Sequence, residues 1–408
     1  MIMIIFEIKK IFCGFAGKIT LAILICILTV VSWLAVSSVE YVDADGQSHS
    51  GVWAARQLRD RKNEWAKEVN TDLLQQVLSE NARVNQTQEY LSEDYEENNK
   101  AYAMKQGFSD IREMINCAFS PFREYNYFRA DFVSAAEVGK FYENRISNLK
   151  TWLDGEAKDM YSEEEKRFLV SQYEILKTPF YYEYKEGWDK ATEYAPTMIM
   201  LILLSLSFLV AGIFSNEFTL KSDAIFFSSK LGRSKAVLSK LAAGLQLITV
   251  VYWCLMLLYS GIVLGILGTD GANCMIQTSP GGWKSFYNLT YAELYGLTLV
   301  GGYLGNMVIL AAAMLMSAKT HSTVVSVTIP FIIIFLDSFL GGIHALSEIL
   351  GLMPNQLLQM NMAVKYFNVY YIGNKIMGAV PILLCMYSVI FALVCPFIIR
   401  VYKKTQIK

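Results

Sequence analysis

Residues 195–215 read APTMIMLILLSLSFLVAGIFS, 21 residues without a charge. A stretch of that length and apolarity reads as a helix crossing a bilayer. About 20 residues span the hydrocarbon, and a helix satisfies its own backbone hydrogen bonds there. Pro196 sits where a first helical turn tolerates a missing N–H. Five further runs read the same way: 19–39, 241–267, 294–318, 322–340 and 376–399. The chain of 408 residues is 54% hydrophobic with mean hydropathy +0.32, too apolar for an ordinary soluble protein. The expected fold class is a polytopic α-helical membrane protein with six transmembrane helices.

The net charge of −1 conceals a segregation. Residues 40–193 hold 30 Asp/Glu against 20 Lys/Arg, so the rest of the chain is basic. The short pieces containing Lys9, Lys10, Lys18, Lys221, Lys230, Arg233, Lys235, Lys240, Lys319, Arg400, Lys403, Lys404 and Lys408 carry only Glu7, Glu217 and Asp223 as acids. The opposite short loops hold just Lys284, Lys365 and Lys375. The positive-inside rule then puts both termini in the cytoplasm and residues 40–194 outside a plasma membrane. The expected order is a cytoplasmic segment 1–18, span one at 19–39, an extracellular domain 40–194 and span two at 195–215. A cytoplasmic segment 216–240, span three at 241–267 and an outer loop 268–293 follow. Span four at 294–318, span five at 322–340, an outer or re-entrant segment 341–375, span six at 376–399 and a cytoplasmic tail 400–408 complete it. The run 19–39 is longer than a signal-peptide core and lacks a clear small-x-small site, so it is expected to stay as an anchor.

Ile4, Ile5, Ile8, Ile11, Phe12 and Phe15 share one helical face, with Glu7, Lys9 and Lys10 off it. This predicts an amphipathic helix in the inner interface; the alternative is a longer first span. The outer block contains Trp53, Trp65, Trp152 and Trp188, enough aromatic mass for a core. Leu58, Trp65, Val69, Leu73 and Val77 fall on one helical stripe, so the block is expected to be mostly helical, with two long helices packed together and short strands near Phe180 to Tyr184. Its aromatic residues read as core. Its acidity attracts cationic ligands or simply solvates the surface.

Residues 216–240 form the most informative local stretch. Phe218, Ile225, Phe226 and Leu231 can share one face of a short helix, which Gly232-Arg233-Ser234 ends before a second helix runs into the membrane. A short helix at the inner membrane edge is a docking element. Asn216-Glu217 followed by Ser228-Ser229-Lys230-Leu231-Gly232-Arg233-Ser234-Lys235 resembles the coupling region of type-2 ABC exporter permeases, the type V exporter fold. The amphipathic helix, six spans, cytoplasmic termini and hydrophobic segment before the last span are similar too. The block of about 150 residues between spans one and two departs from members with short loops there and resembles the branches with large exterior domains.

The resemblance implies a separate ABC ATPase subunit docked at this segment, holding ATP and Mg, and a second permease half, identical or homologous. It implies that the chain itself binds no cofactor. The sequence has no Gly-x-x-x-x-Gly-Lys-Ser/Thr loop of its own, so it is not expected to be an enzyme. Glu217, Lys221, Asp223 and Arg233 are the expected polar contacts or orienters of the docking helix, and Phe218, Ile225 and Phe226 its apolar anchors. Glu217 could instead cap a helix N-terminus. The cargo expected is amphipathic or hydrophobic: a peptide, lipid or antibiotic.

Other features weigh less. Pro330 is a candidate gating hinge in span five. Asp337, Glu293 and His344 read as groups at outer span ends, and Asn306 as a helix-to-helix hydrogen bonder. Cys117 and Cys274 either pair as a disulfide or serve as small apolar side chains. No cysteine or histidine spacing suits a metal, and three scattered histidines give no catalytic set. Nothing points to nucleic acid. The competing readings are a ligand-sensing or accessory membrane protein of immunity or resistance type, acting through its outer block, and an ion-driven transporter. The first needs a partner for output, since the inner pieces are short. The second predicts inverted repeats, which are not seen.

Overall fold

A computed structural model describes residues 2–405 apart from 342, 344 and 345; the side chains of Ile2, Asp337 and Ser338 also lie outside the description. Asp337 and His344, two of the ionisable groups weighed above, are therefore outside the described residues, as is Lys408.

The described chain is mostly helical. α1 (Ile2–Cys13) and α2 (Phe15–Ser37) are separated at Gly14, whose backbone is extended. The reversal is tight: a Cβ on Gly17 would lie 2.3 Å from the Ile11 carbonyl oxygen, so only glycine fits there. The expected boundary between the N-terminal helix and the first long helix thus moves from residue 18 to residue 14.

The acidic block begins with the hairpin β1 (Glu40–Val42) and β2 (Ser48–Ser50), in which Tyr41 faces His49. α3 (Val52–Asn63) follows, then β3 (Lys67–Glu68) and α4 (Thr71–Asn85). The single stripe expected from Leu58 to Val77 is therefore broken. Lys67–Glu68 pairs with a distant strand, and Asn70 caps α4 by accepting from the Leu73 N–H. Leu58 packs in the core shared with the long helices, whereas Val69, Leu73 and Val77 pack in a separate core within the block.

α5 (Gln88–Leu91), α6 (Tyr95–Lys105), α7 (Ser109–Phe119), α8 (Phe141–Asp154) and α9 (Glu163–Ile175) continue the block, and β4 (Tyr181–Tyr182) is the partner of β3. The longest helix here has 15 residues, so a cluster of short helices replaces the two long ones expected. Strong local stops explain this: Asp94 caps α6, and Ser162 with Glu165 forms a capping box on α9.

α10 (Glu186–Thr219) starts nine residues before the quoted apolar run. Pro196 is inside this helix rather than in its first turn, a correction to the expectation. At 34 residues and about 1.5 Å per residue, α10 is roughly 50 Å long, well beyond the hydrocarbon thickness. α11 (Asp223–Ser228) is the short helix expected in the following segment, and α12 (Lys235–Leu267), α13 (Tyr291–Thr320) and α14 (Thr323–Leu340) come next. Glu293 closes a capping box with Thr290 at the start of α13. α15 (Ser347–Leu350), α16 (Asn355–Leu358) and α17 (Met360–Ala363) are single turns. The hairpin β5 (Val369–Ile372) and β6 (Lys375–Gly378) precedes α18 (Ala379–Lys403), which delays the last long helix to residue 379.

Among the described residues, five helices are long and apolar enough to cross a membrane: α2, α10, α12, α13 and α18. α14, the expected fifth span, is apolar and has 18 residues, with Pro330 buried inside it. α10 and α13 make the centre of the bundle, with α2, α12, α14 and α18 packed around them.

Three separate pieces of chain build one unit at the end of the bundle where α10 begins. Arg145 is buried and donates to the carbonyls of Trp283 (3.1 Å) and Ser285 (3.1 Å) in the α12–α13 loop, while its guanidinium lies 3.9 Å from the centre of the Tyr173 ring. Tyr371 of β5 meets the Ser162 hydroxyl at 2.6 Å, and Phe367 packs among Phe122, Trp152 and Phe286. The turn α16 drops Leu357 and Leu358 onto Gly301 and Gly305 of α13, where a Cβ at Gly305 would sit 2.8 Å from Leu358 Cδ2. Small residues four apart make that groove. Cys117 and Cys274 are free thiols, so the disulfide alternative is set aside.

Candidate functional site at the α10–α12 junction

The segment singled out in the sequence folds around a buried ion pair. Glu217, in the last turns of α10, accepts from Lys240 Nζ at 2.7 Å; Glu217 is 5% exposed and Lys240 1%. Lys240 also donates to the Ile213 carbonyl at 2.9 Å. α1 supplies two more charges: Lys10 Nζ lies 3.2 Å from Glu217, and Glu7 lies 3.6 Å from Lys240. The face of α1 read as merely polar therefore meets the bundle. Each buried charge has an opposite partner, the condition under which a low-dielectric setting tolerates it. Glu217 does not cap a helix N-terminus, because it lies near the C-terminal end of α10 and Ser222 precedes α11.

An aromatic cluster surrounds this pair. Phe227 is buried, with ring centroids 5.2 Å from Tyr402 and 5.9 Å from Phe218. Phe226 lies 5.1 Å from Phe227, and Phe218 stacks on His321 at 3.7 Å. His321 itself has the left-handed backbone (φ 58°) that ends α13. Phe218 and Phe226 are thus half-buried structural members. The outward apolar side chains are Ile225, 76% exposed, and Leu220, 69% exposed.

Gly232 is fixed by close approach: a Cβ there would lie 1.8 Å from the Phe226 carbonyl oxygen. Arg233 then reaches the end of α18, donating to the carbonyls of Lys403 (2.8 Å) and Thr405 (2.9 Å), with its guanidinium 4.8 Å from the Phe227 ring centre. Lys221 is exposed at a left-handed position (φ 53°), and Asp223 opens α11. So the fold gathers Glu217, Phe218, Phe226 and Arg233 into one knot, leaves Ile225 outward, and keeps Pro330 apart in α14.

Sequence reasoning passed over Lys240, Lys10, Glu7, Phe227 and Tyr402. Lys240 carried a signal: it is the last charge before an uncharged run, and such a residue must be paired or reach water. Lys10 and Glu7 served only as topology markers.

The other end of α10 carries a second charged knot. Asp110 receives Lys185 Nζ at 2.7 Å, Lys62 Nζ at 2.9 Å and the Tyr182 hydroxyl at 3.1 Å, and Lys62 also meets Glu186 at 2.6 Å. Burial works against the Asp110 carboxylate, but the Lys185 and Lys62 ammoniums overcome it and hold its pKa well below the ordinary value. Burial likewise opposes charge on Lys62, and Asp110 and Glu186 outweigh it, raising that pKa.

No group of three or more His, Cys, Asp or Glu among the described residues is arranged to hold a metal. No protein family, no curated protein and no solved structure matches this chain.

Proposed function

We propose that the chain is the transmembrane permease subunit of an ATP-driven ABC exporter. In this reading six helices, α14 included, cross the plasma membrane, both termini are cytoplasmic, and the acidic block is extracellular. The basic bias of the pieces around α1, α11 and the end of α18 supports that orientation. A separate ATPase subunit with its ATP and Mg docks on α11, and a second permease half completes the transporter. The cargo is a peptide, lipid or antibiotic of amphipathic character.

The observation that carries the reading is α11 itself. It is a six-residue helix between two long apolar helices, showing Ile225 to the outside beside the exposed Leu220 that ends α10, while the chain flanking it is tied to α1, α10, α12 and α18. Exposed apolar side chains on a firmly held base suit a docking contact that transmits force. Closure of an ATPase pair would move α11 and, through Glu217–Lys240, bias α10 and α12 between two arrangements.

The test is isolation of the tagged chain from native membranes in mild detergent, with an ATPase assay of the eluate. A stoichiometric ATPase that dissociates when Ile225 becomes Asp supports the reading. If no ATPase travels with the wild-type chain, the permease reading falls, and an accessory or sensing role for the block takes its place.

A further inference from the structure

Beside the upper charged knot, the beginning of α10, the loop around Ile276 to Gly282, the start of α13 and the α17 turn enclose a cavity of about 640 Å³. Its polar wall is a stripe along α10: Glu186, Asp189, Lys190 and Glu193. Pro196, Met200, Leu294, Met362 and Val364 supply apolar lining.

Most of the charges are already neutralised. Glu186 is bound by Lys62 at 2.6 Å, and Glu193 by Lys190 at 2.9 Å. Asp189 has no ion-pair partner within 4 Å among the described residues; the Lys185 ammonium in its neighbourhood is taken by Asp110 at 2.7 Å. Lys365 at the mouth has no ion pair there either, but it is exposed, so water screens it, whereas Asp189 is partly buried. Three more lining residues are polar and unfinished, the first being Tyr291, whose buried hydroxyl has no hydrogen-bond partner. Thr192 and Asn361 are each 5% exposed, and Thr192 Oγ1 and Asn361 Oδ1 have no hydrogen-bond partner, although Asn361 Nδ2 donates to the Thr192 carbonyl at 3.1 Å. All three unsatisfied atoms are oxygens able to accept from an N–H donor; the two hydroxyls can also donate, whereas Asn361 Oδ1 can only accept. A buried acceptor without a donor costs free energy unless something supplies one.

We infer that this cavity binds an amphipathic organic cation, placing its ammonium at Asp189 and its apolar body against Met200, Leu294 and Met362. A cavity with an apolar side and several converging polar groups suits a small ligand or one side chain of a larger one. The unpaired Asp189 carboxylate and the acceptor-only Asn361 oxygen select a nitrogen donor over an anion. The inference deepens the export reading by naming the cargo class, and it rests on that reading only for the cavity's part in transport.

The experiment is calorimetric titration of the full chain in lipid nanodiscs with three analogues of one ring: tryptamine, the neutral alcohol tryptophol and the anion indole-3-propionate. Empty nanodiscs give the partition background. Saturable binding of tryptamine, at least about tenfold tighter than either analogue, is expected from one charge-assisted contact. Asp189→Asn should remove that preference, Lys365→Ala should leave it intact, and Met362→Trp should block all binding by filling the cavity. Each variant is checked for an unchanged melting temperature. Equal binding of the three analogues, or a preference that survives Asp189→Asn in a protein of unchanged melting temperature, overturns the inference. Because no ATPase is needed, loss of cation binding and loss of the ATPase partner are separate results.

Discussion

Lys240 donates to Glu217 across 2.7 Å, joining the foot of α10 to the foot of α12 although 23 positions separate the two residues. Removing either partner leaves the other buried charge only its longer contact to α1, Lys10 at 3.2 Å for Glu217 or Glu7 at 3.6 Å for Lys240. Glu217→Ala or Lys240→Ala should lower stability by about 3–5 kcal/mol, whereas the paired replacement Glu217→Gln with Lys240→Met should recover most of it. Thermal unfolding of the three variants in detergent measures this. Equal loss in the double variant would show that the pair is not coupled. In the permease reading, Glu217→Ala should also reduce coupled ATP turnover while the protein still inserts.

Ile225 and Leu220 divide docking from folding. Both side chains point outward, so Ile225→Asp and Leu220→Asp should change the melting temperature little and, in the permease reading, abolish capture of the ATPase. Phe226→Asp should instead destabilise the chain, because Phe226 packs on Phe227 and Tyr402. Parallel melting curves and pull-downs separate the two classes; an Ile225→Asp variant that keeps its ATPase would move the docking surface elsewhere.

The Asp110 knot predicts a pH window. The carboxylate's pKa is lowered on folding, so its stabilisation is complete above the ordinary aspartate range and is lost as pH falls through the lower folded value. Lys62 and Lys185 are raised, so theirs is present below the ordinary lysine value and lost as pH climbs through the higher folded ones. The unit around Asp110 should be most stable from roughly pH 5 to pH 10. Asp110→Asn should cost about 3 kcal/mol or more and flatten the acid limb of a melting-temperature profile. An unchanged acid limb would assign that limb to other carboxylates.

Gly305 tests how the segment before α18 is held. Gly305→Val must displace Leu358 or shift α16, an overpacking cost of about 1–3 kcal/mol. Limited proteolysis between residues 346 and 368 should accelerate. Unchanged cleavage would mean that the contacts of Tyr371 and Phe367 with the block suffice.

Legibility followed the range of the forces involved. Long apolar helices announce themselves, because lipid or core burial demands an unbroken run; five appear near the expected places. The short strands did not, since Lys67–Glu68 pairs with Tyr181 and Tyr182, 113 and 115 positions away, and Lys375–Gly378 pairs with Val369–Ile372, between 3 and 9 positions away. The stripe from Leu58 to Val77 misled because caps at Asn70 outweigh periodicity. At the inner site, Gly232-Arg233 stood out for its glycine, whose need is visible only beside the Phe226 carbonyl. Phe218 and Phe226 looked like docking residues because a hydrophobic face has the same signature whether it meets a partner or its own chain. The three-piece unit where α10 begins left no trace, as Arg145 gives no hint that it will hold the carbonyls of Trp283 and Ser285.

α10 is one uninterrupted helix with a charged knot at each end. Its two ends therefore cannot be adjusted independently. Treated as a rod of roughly 50 Å, it converts a tilt of about 5° at Glu217 into a sweep of about 4 Å at Glu186. In the permease reading the helix is a lever whose short handle is α11 and whose far tip forms the carboxylate wall of the cavity beside Asp189.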